Sequence, residues 1–295
     1  MNTKIAAFFS KKLLVITNVL TATLLGFFLI KENYSKPVSN DSNTAIIKKA
    51  TTADKVISEK ELSAMNNNFH PVYEDFSTGN STASFRVLVL GNSLSIHPAL
   101  ESIGWSHKSG MAASKISEDY VHILLAKVSA KLPGKKIIFR VANFADFERH
   151  PNSLSQTTID SLILYKPDMA IFQLGENVNE EGLPLFQSKY IDLIKSLQSG
   201  RPLPVICTTP FFPSLIKNKM VDSVTAKTNS FLVDISHLPL LDSTNYAKNE
   251  AGYKGNREKW TVTGIGMHPG DKGMRNIAEQ IFIAINGIIS RQGNW

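Results

Sequence analysis

From residue 85 onward the chain alternates two patterns of apolar and polar positions. Short apolar runs bounded by turn residues recur at 85–90 (FRVLVL), 136–144 (KIIFRVANF), 168–178 (DMAIFQLGENV), 203–212 (LPVICTTPFF) and 230–236 (SFLVDIS). Runs of this kind, rich in β-branched and aromatic residues, predict buried strands. The stretches between them carry apolar residues at helical spacing. They lie at 118–132 (EDYVHILLAKVSAKL), 157–165 (TTIDSLILY), 185–198, 214–229 (SLIKNKMVDSVTAKTN) and 273–292 (GMRNIAEQIFIAINGIISRQ). Acidic residues open the first helix, and Lys166-Pro167 stops the second, because the residue before proline is pushed out of helical geometry. Strands separated by helices predict a parallel sheet covered on both faces. Five such strands suit a flavodoxin-like, three-layer α/β/α fold with strand order 2-1-3-4-5.

The first 82 residues follow neither pattern. Residues 13–30 (LLVITNVLTATLLGFFLI) form an 18-residue run without a charge, preceded by Lys4, Lys11 and Lys12. A helix of that length just spans a bilayer core of about 30 Å. No small-x-small cleavage site follows, and no cysteine follows that could carry a lipid, so the expectation is an uncleaved membrane anchor. The lysines place the amino terminus inside and the rest of the chain on the extracytoplasmic side, periplasmic or at the cell surface. Residues 31–82 are rich in Asn, Ser, Thr and Lys and read as a polar linker. The expected division is therefore an anchor at 1–30, a linker at 31–82 and one folded domain at 83–295.

Composition narrows the functional classes. Of the 295 residues 43% are hydrophobic and 19% charged, which are globular values. The net charge of +7 comes from scattered lysines; no arginine-rich run or aromatic–basic interleaving marks a nucleic-acid footprint, so no nucleic-acid partner is expected. The single cysteine, Cys207, lies inside an apolar run and reads as a small buried hydrophobe. No His-Glu-x-x-His or Cys/His cluster suggests a metal, and no cofactor is expected.

Candidate chemistry gathers at two points. Gly91-Asn92-Ser93 ends the first strand, placing Ser93 at the carboxyl edge of the sheet, where open α/β sheets bind ligands. A serine hydroxyl becomes nucleophilic only with an adjacent base. His268, in GMHPGDKGM at 266–274, stands on a turn before the last helix and titrates in the range a general base needs. Of the other histidines, His97 stands close enough to Ser93 to line a cleft, and His122 lies in a helical run and reads as structural.

Taken together, the Gly-Asn-Ser block after the first strand and the His-Pro block before the last helix resemble the SGNH/GDSL hydrolase family. The stretch with Gly104-Trp105 and Gly110-Met111-Ala112-Ala113-Ser114 resembles a bacterial subset of it. The resemblance covers roughly residues 83–292. It implies a serine esterase that removes a small acyl group, such as O-acetyl on a glycan, through an acyl-enzyme on Ser93 with His268 as base. The family's oxyanion donors map onto the N–H of Ser93, the N–H of Ala145 and the side chain of Asn177 in Gly175-Glu176-Asn177. Trp105 is either a pocket wall or a packing aromatic. The departure is at position 265, where the family's triad acid is replaced by Ile265. Either a Ser-His dyad operates or Asp146, Glu148, Glu176 or Asp271 supplies the acid. Two other readings share these residues: an O-acyltransferase acting on extracytoplasmic polysaccharide, and a non-catalytic glycan-binding module.

Overall fold

The computed structural model describes residues 71–292. The apolar run at 13–30 and most of the polar stretch at 31–82 lie outside the described residues. Among the described residues no helix is long and apolar enough to cross a membrane.

The sheet has six strands: β1 (Tyr73–Thr78), β2 (Ser84–Gly91), β3 (Lys136–Asn143), β4 (Met169–Phe172), β5 (Val205–Thr208) and β6 (Phe231–Val233). Their order is β1-β3-β2-β4-β5-β6. The last five reproduce the doubly wound 2-1-3-4-5 order, all parallel. β1 corrects the expected strand count and the expected end of the linker. It pairs antiparallel with β3, from Tyr73 opposite Ala142 to Thr78 opposite Ile137. Its half-buried alternation on a short edge strand, with Glu74 and Asp75 among its residues, resembles linker more than core.

Helices cover both faces: α1 (Tyr120–Lys131), α2 (Ala145–Arg149), α3 (Gln156–Leu164), α4 (Leu183–Gln198), α5 (Leu215–Thr228), α6 (Leu238–Leu241) and α7 (Asp271–Gln292). Their starts follow from local chemistry. Asp119, Ser155 and Ser214 accept a backbone N–H of the first turn with their side chains, as N-cap residues do. Asn229 ends α5 in the left-handed conformation.

Two cores result. Val87, Val89, Phe139 and Ile171 pack under α1 and α7 on one face; Leu88, Leu90, Ala170 and Phe172 pack under α3, α4 and α5 on the other. Alternate residues of β2 and β4 thus face opposite cores, which is why both strands read as unbroken apolar runs. Cys207 is buried in the second core, and burial pushes its thiol up to about 12, so it stays an inert hydrophobe. A third, small apolar cluster joins Met111 and Ala112 to Ala247 and Ile265.

Candidate active site

The turn that bears Ser93 begins where β2 ends. A Cβ at Gly91 would lie 1.7 Å from the Ser95 hydroxyl oxygen, so the turn can fold back over residue 91 only if that residue is glycine. Asn92, fully buried, shapes the turn: its carbonyl accepts the N–H groups of Ser95 and Ile96, both at 3.0 Å, and its Oδ1 accepts the Leu94 N–H at 3.1 Å. Ser93 emerges half-buried, with its carbonyl bound by the Met111 N–H at 2.7 Å. Its own N–H donates to no group among the described residues.

His268 reaches the same edge from the far end of the sequence. A short 3-10 turn, Thr263–Met267, precedes it, and Pro269 follows it before α7 begins. Its Nε2 lies 2.9 Å from Ser93 Oγ. Its Nδ1 lies 2.9 Å from the carbonyl oxygen of Gly264. A carbonyl only accepts, so Nδ1 carries the hydrogen and Nε2 is the free acceptor facing the serine. The partner of Nδ1 is therefore a backbone carbonyl and not a carboxylate. None of Asp146, Glu148, Glu176 or Asp271 hydrogen-bonds His268. Asp271 instead binds the N–H and hydroxyl of Ser114 at 2.7 and 2.6 Å. Asp146 pairs with Arg149 at 3.4 Å.

Burial and the nearby His97 push His268 down to about 4, against the opposing pull of the Gly264 hydrogen bond. The Phe212 ring stands edge-on to the imidazole, 5.7 Å between centroids, and helps exclude water from it. The shift favours the neutral imidazole.

The other two oxyanion donors expected from the sequence are differently engaged. The N–H of Ala145, at the start of α2, donates to Asn143 Oδ1 at 2.9 Å, and Asn143 Nδ2 is tied to the Ile96 carbonyl at 2.8 Å. That first-turn N–H thus already has an acceptor in the Asn143 side chain. Asn177 stands differently. Its Oδ1 accepts from Arg149 at 3.0 Å, and one hydrogen of its Nδ2 goes to Glu148 Oε2. The second hydrogen of that amide stays available. Gly175 sets up this turn with φ +120, a value that L side chains rarely adopt.

Ser93, Ala145, Asn177 and His268 all line one cavity of about 1130 Å3. His97 lines it too, as its closeness to Ser93 in sequence suggests. Trp105 does not: it is 3% exposed and packs edge-on against His107, which settles it as a packing aromatic. His122 is structural, its Nδ1 bound to the N-cap Asp119 at 2.8 Å. Among the described residues no group of His, Cys, Asp and Glu side chains could hold a metal.

Sequence reasoning missed three contributors and named Glu148 only as a candidate acid for His268. The Gly264 carbonyl has no side-chain signal. Phe212 is signalled only by the Pro-Phe-Phe-Pro run after β5. Arg149 and Glu148 lie together in Asp146-Phe147-Glu148-Arg149, just past β3, where charged residues at the functional edge are themselves a hint.

No protein-family model matches this sequence, and no curated protein matches it. Among solved structures the chain is similar to a family two carbohydrate esterase from Cellvibrio japonicus, with TM-score 0.44 and 13% identity over 70% of this chain and 62% of that one. It is also similar to a GDSL-like lipase from Bacteroides ovatus, with TM-score 0.38 and 17% identity over 72% of this chain and 56% of that one. The matched region spans less than two thirds of either structure.

Proposed function

We propose that the protein is a serine esterase of SGNH type, cleaving a small acyl ester on a glycan or other extracytoplasmic carrier. The observation that carries this reading is the 2.9 Å contact between Ser93 Oγ and the unprotonated Nε2 of His268. As an ester carbonyl approaches, Nε2 takes the hydroxyl proton and Oγ bonds to the carbonyl carbon. Negative charge then grows on the former carbonyl oxygen. The unengaged N–H of Ser93 and the spare amide hydrogen of Asn177 are the donors at hand for it. Collapse of the adduct expels the alcohol, which takes the proton back from His268. Water then enters by the same route in reverse and releases the acid. In place of an acid, the Gly264 carbonyl fixes tautomer and ring orientation.

The cavity's size and mixed lining, apolar Ile96, Met111 and Phe212 beside polar Glu74, Lys108 and Asp146, suit a substrate larger than an acyl group, such as a sugar. A sugar hydroxyl in place of water would make the same acyl-enzyme a transferase. A purely binding role leaves the serine–imidazole contact without a purpose.

The test is hydrolysis of p-nitrophenyl acetate by the wild type and Ser93→Ala across pH 4–8. The base works as neutral imidazole, so kcat/KM rises as pH climbs through the folded pKa of His268. With that value near 4, the rise should be complete by about pH 6 and the profile flat above it. Ser93→Ala should remove turnover. Equal turnover in both proteins would discard the esterase reading, and an inflection near 6.5 would discard the depressed pKa of the half-buried, carbonyl-held histidine.

A further inference from the structure

Among the described residues the most heavily engaged buried charge is Glu148, 1% exposed, on α2. Its Oε1 accepts from Asn92 Nδ2 at 3.2 Å, from the Glu176 N–H at 3.0 Å and from the Gly175 N–H. Its Oε2 accepts from Asn177 Nδ2. Every partner is a donor, so the side chain is used throughout as an acceptor, as only a carboxylate can be at both oxygens. Burial raises its pKa and the four hydrogen bonds oppose that rise. The four partners come from two turns. Asn92 immediately precedes Ser93 after β2; Gly175, Glu176 and Asn177 form the turn after β4. Glu148 itself follows β3. One carboxylate therefore joins three loops at the carboxyl edge of the sheet.

We propose that Glu148 is a positioning residue of the oxyanion site: it holds the Asn177 amide in line and locks the Asn177 turn to the turn that bears Ser93. The proposal rests on the esterase reading above and adds a residue to it. Without an acceptor at Oε2, the amide of Asn177 is free to rotate about its own terminal torsion, and Arg149, which is exposed, is its one remaining partner among the described residues. A donor fixed before the reaction is worth far more than one that must be ordered during it.

Glu148→Gln separates the two halves of this role. The amide oxygen can stand in for Oε1 and keep three donors satisfied. Its NH2 then faces Asn177 Nδ2, donor against donor, and turns that amide away. The experiment is steady-state hydrolysis of p-nitrophenyl acetate by the full chain as wild type, Glu148→Gln, Asn177→Ala and the double variant. Loss of one oxyanion donor costs about 10²–10³ in kcat. Glu148→Gln should lower kcat by about 10- to 100-fold with KM within about threefold, since the acyl pocket is untouched. The double variant should be no slower than Asn177→Ala alone, within about threefold, because the two act through one group. Losses that multiply, or a Glu148→Gln enzyme with unchanged kcat, overturn the proposal while leaving the esterase reading intact. A wild type no faster than Ser93→Ala overturns both. If Glu148→Gln does not fold, Glu148→Asp keeps the charge, withdraws it by one methylene, and enters the same cycle with the same outcomes.

Discussion

At the scale of single residues, Ile265 is the position that separates two ways of orienting the imidazole of His268. In sequence it stands where the SGNH pattern has an aspartate, so the simplest repair would be Ile265→Asp. The surroundings argue the opposite. Ile265 is 2% exposed and belongs to the cluster with Met111, Ala112 and Ala247, with Tyr253 and Trp260 packed against it. Its carbonyl already receives the His268 N–H at 3.0 Å, and the imidazole Nδ1 already has an acceptor in Gly264. An aspartate there would remove aliphatic contacts worth about 2–5 kcal/mol and bury a charge with no donor of its own. Ile265→Asp is therefore expected to lower the thermal midpoint steeply and to give no gain in kcat. Differential scanning calorimetry and ester turnover on the same sample check this. A stable variant with raised kcat would show that His268 lacks an orienting partner in the wild type.

At the scale of elements, the parallel strands and their helices were legible because each obeys a simple period. β2 and β4 face two cores and so are apolar throughout; α1, α3 and α5 open on side-chain caps. β1 was not legible, because an edge strand with one half-buried face has the composition of a linker. Its contacts nevertheless tie it into the fold. Phe76 packs against the first core, and Arg140 of β3 holds Asp75 through Nε and Nη2 at 2.8 and 2.7 Å while lying over the Tyr73 and Tyr165 rings. A chain beginning at residue 83 loses these contacts and leaves one side of β3 unpaired. Half-burial of two aromatics and a bidentate ion pair together stabilise by on the order of 3 kcal/mol. For a domain of this size that is roughly 6–12 °C in midpoint. Thermal melts of chains starting at residues 71 and 83 should differ by about this amount. Equal midpoints would make β1 an appendage rather than part of the domain.

At the scale of the whole molecule, the site is an assembly of three turns that are remote in sequence and adjacent at one sheet edge. Sequence order alone pointed to Ser93, His268 and Asn177, which line one cavity, because each follows a strand or precedes a helix in a recognisable block. It could not identify the Gly264 carbonyl, nor that Glu148, one of its candidate acids, binds Asn177 instead of His268, because backbone acceptors and buried charges acquire partners only when the chain is folded. Nor could it show that Ala145 spends its N–H on Asn143. The same cavity has a further relation to the rest of the chain: Pro71 and Val72 line it. The polypeptide thus enters the described fold at the rim of the site, and residues 13–30, with no charge in 18 positions, lie upstream of that point. We propose that this run anchors the protein in a membrane, with the domain on the extracytoplasmic side. Eighteen residues suffice to cross about 30 Å of hydrocarbon, and three lysines before the run favour retention of the amino terminus inside. The full chain should then sediment with membranes and resist a carbonate wash, while a chain lacking residues 1–30 should be recovered in the soluble fraction with unchanged kcat/KM on p-nitrophenyl acetate, because the Ser93–His268 and Asn177–Glu148 contacts are made within residues 71–292. A mature protein that begins beyond residue 30 and is recovered in the soluble extract would instead make the run a cleaved export signal.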